Sequence, residues 1–139
     1  NGVTIYDSKG FCAKLAFVGN GKNRLGPIFI RNLSSGCEEA FGNVGKSKYC
    51  VAANAPMAFL GYGSFQGNYA ENCGVAFSSR FLETEYIDNV AKGGNKVFHT
   101  ADNVSMRGNT AIGKYKWGKV LRGGTISLKK RNGNKIIRR

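Results

Sequence analysis

The chain has 139 residues and a mass of 15.0 kDa, a length that supports one hydrophobic core rather than two. Twenty-one Lys and Arg against eight Asp and Glu give a formal charge of 21 − 8 = +13. Apolar content of 42% with 12% aromatics is too high for a disordered tail, no run approaches the ~20 apolar residues of a membrane helix, and 20 glycines without a three-residue period exclude collagen.

Short apolar runs punctuated by Gly and Asn dominate the chain. Val3–Tyr6 and Phe11–Val18 read as strands, the second with Phe11, Ala13, Leu15 and Phe17 on one face. Residues 19–23 (Gly-Asn-Gly-Lys-Asn) read as a loop, and Ile28–Leu33 as a further strand. Ser35 stands three residues before Glu38, the arrangement of a capping box, which predicts a short helix over residues 34–41. Tyr49–Ala53 and Ala58–Tyr62 are strand-like, and residues 61–68 form a glycine-rich loop carrying Tyr62 and Phe65. Gly74–Phe77 is again extended.

The best helix candidate is Ser79–Val90. Phe81, Leu82, Tyr86 and Val90 recur at offsets near four, and Gly93-Gly94 follows as a stop signal. Lys96–Thr100 is a short strand. Beyond it, Tyr115, Trp117 and Leu121 alternate with Lys114, Lys116 and Arg122, and Ile126 and Leu128 with Ser127 and Lys129. Gly123-Gly124 and Asn132-Gly133 are two-residue hairpin signals. Together they predict a three-stranded antiparallel meander with one apolar and one cationic face. No internal repeat stands out. The expected fold is a β-rich α+β domain, 1–139, with a mainly antiparallel sheet or barrel, one short helix and this C-terminal meander.

Charge divides the chain. Residues 1–102 hold ten basic and eight acidic side chains, whereas residues 103–139 hold eleven basic and none acidic. Such a block attracts polyanions or acidic protein surfaces. The residues expected to make contact are Lys114, Lys116, Lys119, Lys129, Lys130, Arg131, Arg122 and Arg138.

The four cysteines, Cys12, Cys37, Cys50 and Cys73, include no Cys-x-x-Cys pair, and the only histidine, His99, is remote from all of them. This spacing argues against zinc and for two disulfides in an exported protein, with Cys37–Cys50 and Cys12–Cys73 as the preferred pairing. Asn32-Leu-Ser34 and Asn103-Val-Ser105 match the glycosylation sequon.

Three motifs carry weaker signals. Residues 40–47 (Ala-Phe-Gly-Asn-Val-Gly-Lys-Ser) approximate a phosphate-binding loop, but a strand-like run follows where a helix is needed. His99, with Glu83, Glu85 or Asp102, supplies the ingredients of a ribonuclease-type acid–base pair. Tyr62, Phe65 and Tyr69 are candidates for a stacking loop, whereas Trp117 falls on the apolar face as core. No cofactor motif is present. The function expected is an exported, non-enzymatic protein that binds a polyanion (nucleic acid, sulfated glycan or anionic lipid surface) or an acidic protein through its cationic sheet. A secreted ribonuclease-type toxin and a structural or adhesive subunit of an extracellular assembly are the alternatives.

Overall fold

A computed structural model describes residues 3–11, 14–19, 26–79, 84–100, 105–113, 121–122 and 132–139. Its regular elements are all strands. In chain order they are β1 (Thr4–Tyr6), β2 (Lys9–Phe11), β3 (Leu15–Val18), β4 (Ile28–Ile30), β5 (Leu33–Ser35), β6 (Glu39–Lys48), β7 (Val51–Ala53), β8 (Met57–Gln66), β9 (Tyr69–Glu71), β10 (Val75–Ser79), β11 (Glu85–Ile87), β12 (Val90–Lys92), β13 (Lys96–Thr100), β14 (Ser105–Arg107), β15 (Thr110–Ile112), β16 (Leu121–Arg122) and β17 (Lys135–Ile137). Every pairing between them is parallel.

One sheet runs β2-β5-β7-β9-β12-β15-β17, in which each strand joins the one a full turn of chain later. The other strands form a ten-stranded sheet, bent so that the halves of β6 and β8 serve different neighbours. Leu15, Glu39, Met57, Val75 and Lys96 share one register row. Ile5, Phe29, Ser47, Phe65, Tyr86 and Met106 share another. The chain therefore winds as a β-solenoid with three faces per turn. A first face holds β3, β10, β13, β16 and the starts of β6 and β8. A second holds β1, β4, β11, β14 and the ends of β6 and β8. The seven-stranded sheet is the third.

Two corners repeat. Between the second and third faces a residue with positive φ recurs at Asp7, Arg31, Tyr49, Gly67, Asp88, Gly108 and Gly133. It is followed each time by an inward polar or thiol side chain: Ser8, Asn32, Cys50, Asn68, Asn89, Asn109 or Asn134. After the third face a second left-handed residue stands at Gly36, Asn54, Asn72, Gly93 and Gly113. Gly and Asn are the residues that take this conformation at least cost, which explains why they crowd the sequence.

The buried asparagines form a ladder. Each Oδ1 accepts the main-chain N–H of the preceding turn's corner residue: Ser8 to Asn32 (2.9 Å), Cys50 to Asn68 (3.0 Å), Asn68 to Asn89 (3.0 Å), Asn89 to Asn109 (3.0 Å) and Asn109 to Asn134 (2.9 Å). Each Nδ2 donates to a carbonyl three residues before that corner residue, at Ile5, Ser47, Phe65, Tyr86 and Met106. A corner that would otherwise bury unpaired main-chain groups is thereby satisfied.

Aromatic rungs fill the interior. Phe17, Phe41, Phe59, Phe77 and Phe98 stack along the axis with centroids 5.1, 4.8, 5.1 and 5.3 Å apart. Phe65 stacks on Tyr86 at 5.2 Å. Opposite them the third face turns in a row of small residues, Ser34, Ala52, Ala70, Ala91 and Ala111, all buried. Large side chains from two faces thus meet small ones from the third, which keeps the core dense. Where the first face bends into the second, a Cβ at Gly63 would overlap the Gly45 carbonyl oxygen, so this bend needs glycine.

Several sequence expectations are corrected. The sheets are parallel, not antiparallel, and no helix occurs among the described residues. The predicted helix Ser79–Val90 begins in β10, contains β11 and ends at β12. Its four-residue spacing is accidental, since Tyr86 points into the core above Phe65 while Asp88-Asn89 is a corner. The capping-box segment 34–41 runs from β5 into β6, and the glycine-rich "loop" 61–68 is largely the end of β8. The antiparallel meander is not found among the described residues, and residues 114–120 and 123–131 of it lie outside them. Leu121–Arg122 joins β13 on the first face and Lys135–Ile137 joins β15 on the third, both parallel. Gly133, at φ 75°, makes a solenoid corner leading into Asn134 rather than a hairpin turn.

Candidate polyanion interface

A solenoid turns sequence order into axial order, because each turn advances one strand spacing of about 4.8 Å along the axis. The charge division of the sequence therefore becomes a division between the two ends of a rod. The acidic side chains among the described residues, Asp7, Glu38, Glu39, Glu71, Glu85 and Asp88, all belong to turns that precede β13. From β13 onward the described residues carry Lys96, Arg107, Arg122, Lys135, Arg138 and Arg139, with no acid among them. Lys96, Arg107, Lys135, Arg138 and Arg139 are exposed. This end is a cationic pole.

Salt bridges in the earlier turns withdraw cations from such a role. Arg31 Nε lies 2.7 Å from Asp7 Oδ1, and Arg31 Nη2 donates to Asp7 Oδ2, so the pair is bidentate across adjacent corners. The Arg31 hydrogen bond holds the Asp7 carboxyl below its ordinary value, and Asp7 raises the guanidinium reciprocally. Lys92 Nζ lies 3.1 Å from Glu71 Oε1, and this contact raises the Lys92 pKa.

The residues named from sequence separate. Arg122 pairs in register with His99 on the first face, and Arg138 is exposed just past β17. Lys114, Lys116, Lys119, Lys129, Lys130 and Arg131, with Trp117, lie outside the described residues. Sequence alternation left Arg107, Lys135 and Arg139 out of the cationic set. The count of eleven basic residues over 103–139 already includes them.

His99 is exposed on β13, between Ser78 and Arg122 in register. Glu85 is on the second face beside Ser64 and Ser105, so the two do not share a face. Glu83 and Asp102 lie outside the described residues. Phe65 is a fully buried core ring, Tyr62 is half-buried, and Tyr69 sits in an outer row of the third face between Val51 and Val90. These three do not form a stacking loop. Residues 40–47 lie within β6 and form no phosphate loop. The Asn32 sequon is closed to modification, since its Nδ2 donates to the Ile5 carbonyl at 2.8 Å and the residue is buried.

The cysteine pairing is also corrected. Cys50 and Cys73 are free and buried, so neither preferred bridge exists. Cys37 and Cys50 sit at opposite corners of the third face, and Cys73 occupies the corner that Cys37 occupies two turns earlier. There they act as small buried hydrophobes. Burial pushes the Cys50 thiol up to about 11 and the Cys73 thiol up as well. Cys37 is disulfide-bonded, and its partner is outside the described residues. No group of three or more metal-ligating side chains occurs among the described residues, nor does a helix long and apolar enough to cross a membrane.

The described residues define a parallel β-solenoid whose C-terminal turns are cationic. In comparisons with known proteins, the chain matches no family model, no curated protein and no solved structure.

Proposed function

We propose that this protein is an exported binding protein that engages a polyanion or an acidic partner through the cationic end of its solenoid. The axial segregation of charge carries this reading: the described cations from β13 onward stand at one end, in a stretch whose described residues carry no acid. Self-repulsion in such a cluster disfavours the compact state unless a ligand relieves it. The disulfide at Cys37 supports an oxidising compartment. A rigid core of stacked rings and a closed asparagine ladder suits a scaffold that presents charge without rearranging.

Binding to duplex DNA, RNA and heparin at several salt concentrations tests the proposal. Engagement of about six phosphates predicts roughly a thousand-fold loss of affinity between 50 and 200 mM salt. Charge reversal at Arg107, Lys135 and Arg138 together should reduce the salt slope. An affinity that is flat with salt, or unchanged by these reversals, defeats it.

The reading as a subunit of an extracellular assembly is favoured by a different observation. Large apolar side chains are exposed around the opposite end of the rod, at Val3, Tyr6, Phe11, Leu15 and Val18.

A further inference from the structure

Tyr49 stands on the corner where the second face turns into the third. Its φ of 55° lies in the left-handed region, which a bulky aromatic side chain adopts only at a cost. The other described non-glycine residues in that region are Asp7, Arg31, Asn43, Asn54, Asn72 and Asp88. Asn and Asp take it readily, and Arg31 is held by its bidentate pair with Asp7. Tyr49 has neither compensation. It is also 56% exposed in the middle of the rod, where the outward-facing Tyr69 of the next turn is half-buried. Backbone strain that gains the fold nothing marks a position kept for another role.

The main chain stacks Tyr49, Gly67 and Asp88 in one column. The Tyr49 N–H donates to the Gln66 carbonyl at 3.0 Å, and the Gly67 N–H to the Ile87 carbonyl at 2.9 Å. Gly67 has no side chain, so the column carries a notch between Tyr49 and Asp88, which stand two strand spacings, about 10 Å, apart. A Cβ at Gly67 would lie 2.7 Å from both Cδ1 and Cε1 of Tyr49. That edge of the ring therefore rests on the glycine, which fixes the ring beside the notch. Lys48 and Gln66, in register at the end of the second face, flank it. Among the described residues, the side chains of Lys48, Gln66 and Asp88 make no hydrogen bond or ion pair, unlike Arg31 with Asp7 and Lys92 with Glu71.

We infer that this notch is a subsite for one pyranose ring of an acidic glycan, a narrowing that rests on the polyanion reading. A pyranose offers one face of C–H bonds, which stacks on the electron-rich face of an aromatic ring. Its rim of hydroxyls donates to the Asp88 carboxylate and accepts from the Gln66 amide and the Lys48 ammonium. Asp88 also discriminates. A single-stranded nucleic acid could stack a base on Tyr49, but it carries a phosphate at every residue, and one of these would meet the Asp88 carboxylate. A glycan separates its anions by neutral, hydroxyl-bearing positions. Arg107, which is exposed, stands at the same corner one turn past Asp88, whose N–H donates to the Arg107 carbonyl at 2.9 Å. It is three spacings, about 14 Å, along the axis from Tyr49. An oligosaccharide seated on the ring and running along the corner brings a sulfate or carboxylate to this cation of the basic turns.

Isothermal titration of the full chain with a heparin oligosaccharide of defined length, and separately with oligothymidylate, tests this. Tyr49→Ala should weaken the oligosaccharide about ten-fold. The salt slope of its binding should stay the same, because stacking on the ring releases no counterion. Tyr49→Phe should retain the affinity, and oligothymidylate binding should not respond to Tyr49→Ala. Tyr49→Gly separates a binding role from a structural one. It relieves the left-handed strain, so the thermal midpoint should hold or rise while oligosaccharide affinity falls as in Tyr49→Ala. An oligosaccharide affinity unchanged by Tyr49→Ala, an equal loss for oligothymidylate, or a lower thermal midpoint in Tyr49→Gly overturns the inference. If the oligosaccharide then still binds with a steep salt dependence, the proposed function survives that failure. If neither probe binds at any salt concentration, both fall.

Discussion

Asn89 is the most informative residue to alter, because its side chain closes the ladder in the middle of the rod. Its Nδ2 donates to the Phe65 carbonyl at 2.8 Å, and its Oδ1 accepts the Asn68 N–H at 3.0 Å. Both main-chain groups belong to a buried corner. Asn89→Ala removes the side-chain partner of both. Each orphaned buried group costs about 1–3 kcal/mol, so the substitution should remove about 2–6 kcal/mol from a total of order 5–15 kcal/mol. The Asn68 amide retains its bonds to Ser47 O and Oγ, so the damage is confined to two groups. Equilibrium urea unfolding followed by circular dichroism measures the loss. Asn109→Ala should match it, since Asn109 makes the equivalent contacts to Tyr86 O and the Asn89 N–H. Asn32→Ala should cost less, because its bonds to Ile5 O and Ser8 N are only partly buried. A cost below about 1 kcal/mol at Asn89, or equal costs at Asn32 and Asn89, would refute the view that the ladder holds the corners together.

Four further substitutions probe the same logic. Cys50→Asn fills the gap in the ladder, with Oδ1 placed to accept the Asn32 N–H and Nδ2 to reach the Phe29 carbonyl. It should raise the urea midpoint by an equivalent of about 1–2 kcal/mol, and a loss of stability would show that the thiol position cannot take the amide. Burial holds the Cys50 thiol at about 11, above its ordinary value of 9.0. The folded state therefore keeps the proton more tightly, and this contribution is intact below pH 9 and lost as pH rises towards 11. Wild type should lose up to about 2–3 kcal/mol more than Cys50→Ala across that window, and parallel pH profiles would contradict the shift. Ser34 interrupts the buried alanine row with a hydroxyl that has no hydrogen-bond partner. Ser34→Ala should stabilise by about 1 kcal/mol, read as a higher thermal midpoint, and a lower midpoint would reveal a partner for that oxygen. Gly67→Ala places a Cβ 2.7 Å from the Tyr49 ring at φ +62°. It should cost about 1–2 kcal/mol, part of it recovered in the Tyr49→Ala background, and full additivity of the two changes would show that ring and Cβ do not meet.

Local extension was legible in the sequence, whereas topology was not. Lys96–Thr100 is the expected strand, the runs at Val3–Tyr6 and Tyr49–Ala53 each contain one, and Gly74–Phe77 overlaps the start of β10. Alternation of apolar and polar residues reports that a segment is extended but carries no information about which strand it joins. Hairpin signals then supplied the wrong partners, because Gly and Asn serve a left-handed solenoid corner as well as a two-residue turn. The distinguishing signal was the repeat. Gly67-Asn-Tyr-Ala-Glu-Asn72, Asp88-Asn-Val-Ala-Lys-Gly93 and Gly108-Asn-Thr-Ala-Ile-Gly113 carry one pattern at intervals of 21 and 20 residues. It was hidden because the corner asparagine is Cys50 in one turn and Ser8 in another, and because turns differ in length between the first two faces.

The same reasoning explains why the charge block was legible and its shape was not. An antiparallel meander would have spread residues 103–139 into a flat sheet beside the rest of the domain. A solenoid instead stacks the described strands of this stretch, β14 to β17, as turns that follow the acidic ones, so that distance along the chain becomes distance from the acidic turns. Charge reversal should then weaken polyanion binding in order of axial position. Lys135→Glu and Arg138→Glu at the pole should cost more affinity than Lys96→Glu at the start of that segment, and Lys46→Glu, on β6 with acids in neighbouring turns, should cost least. Heparin affinity at a single low salt concentration ranks the four variants. If Lys46→Glu weakens binding as much as Lys135→Glu, the ligand lies along a side of the rod, and the axial argument is wrong.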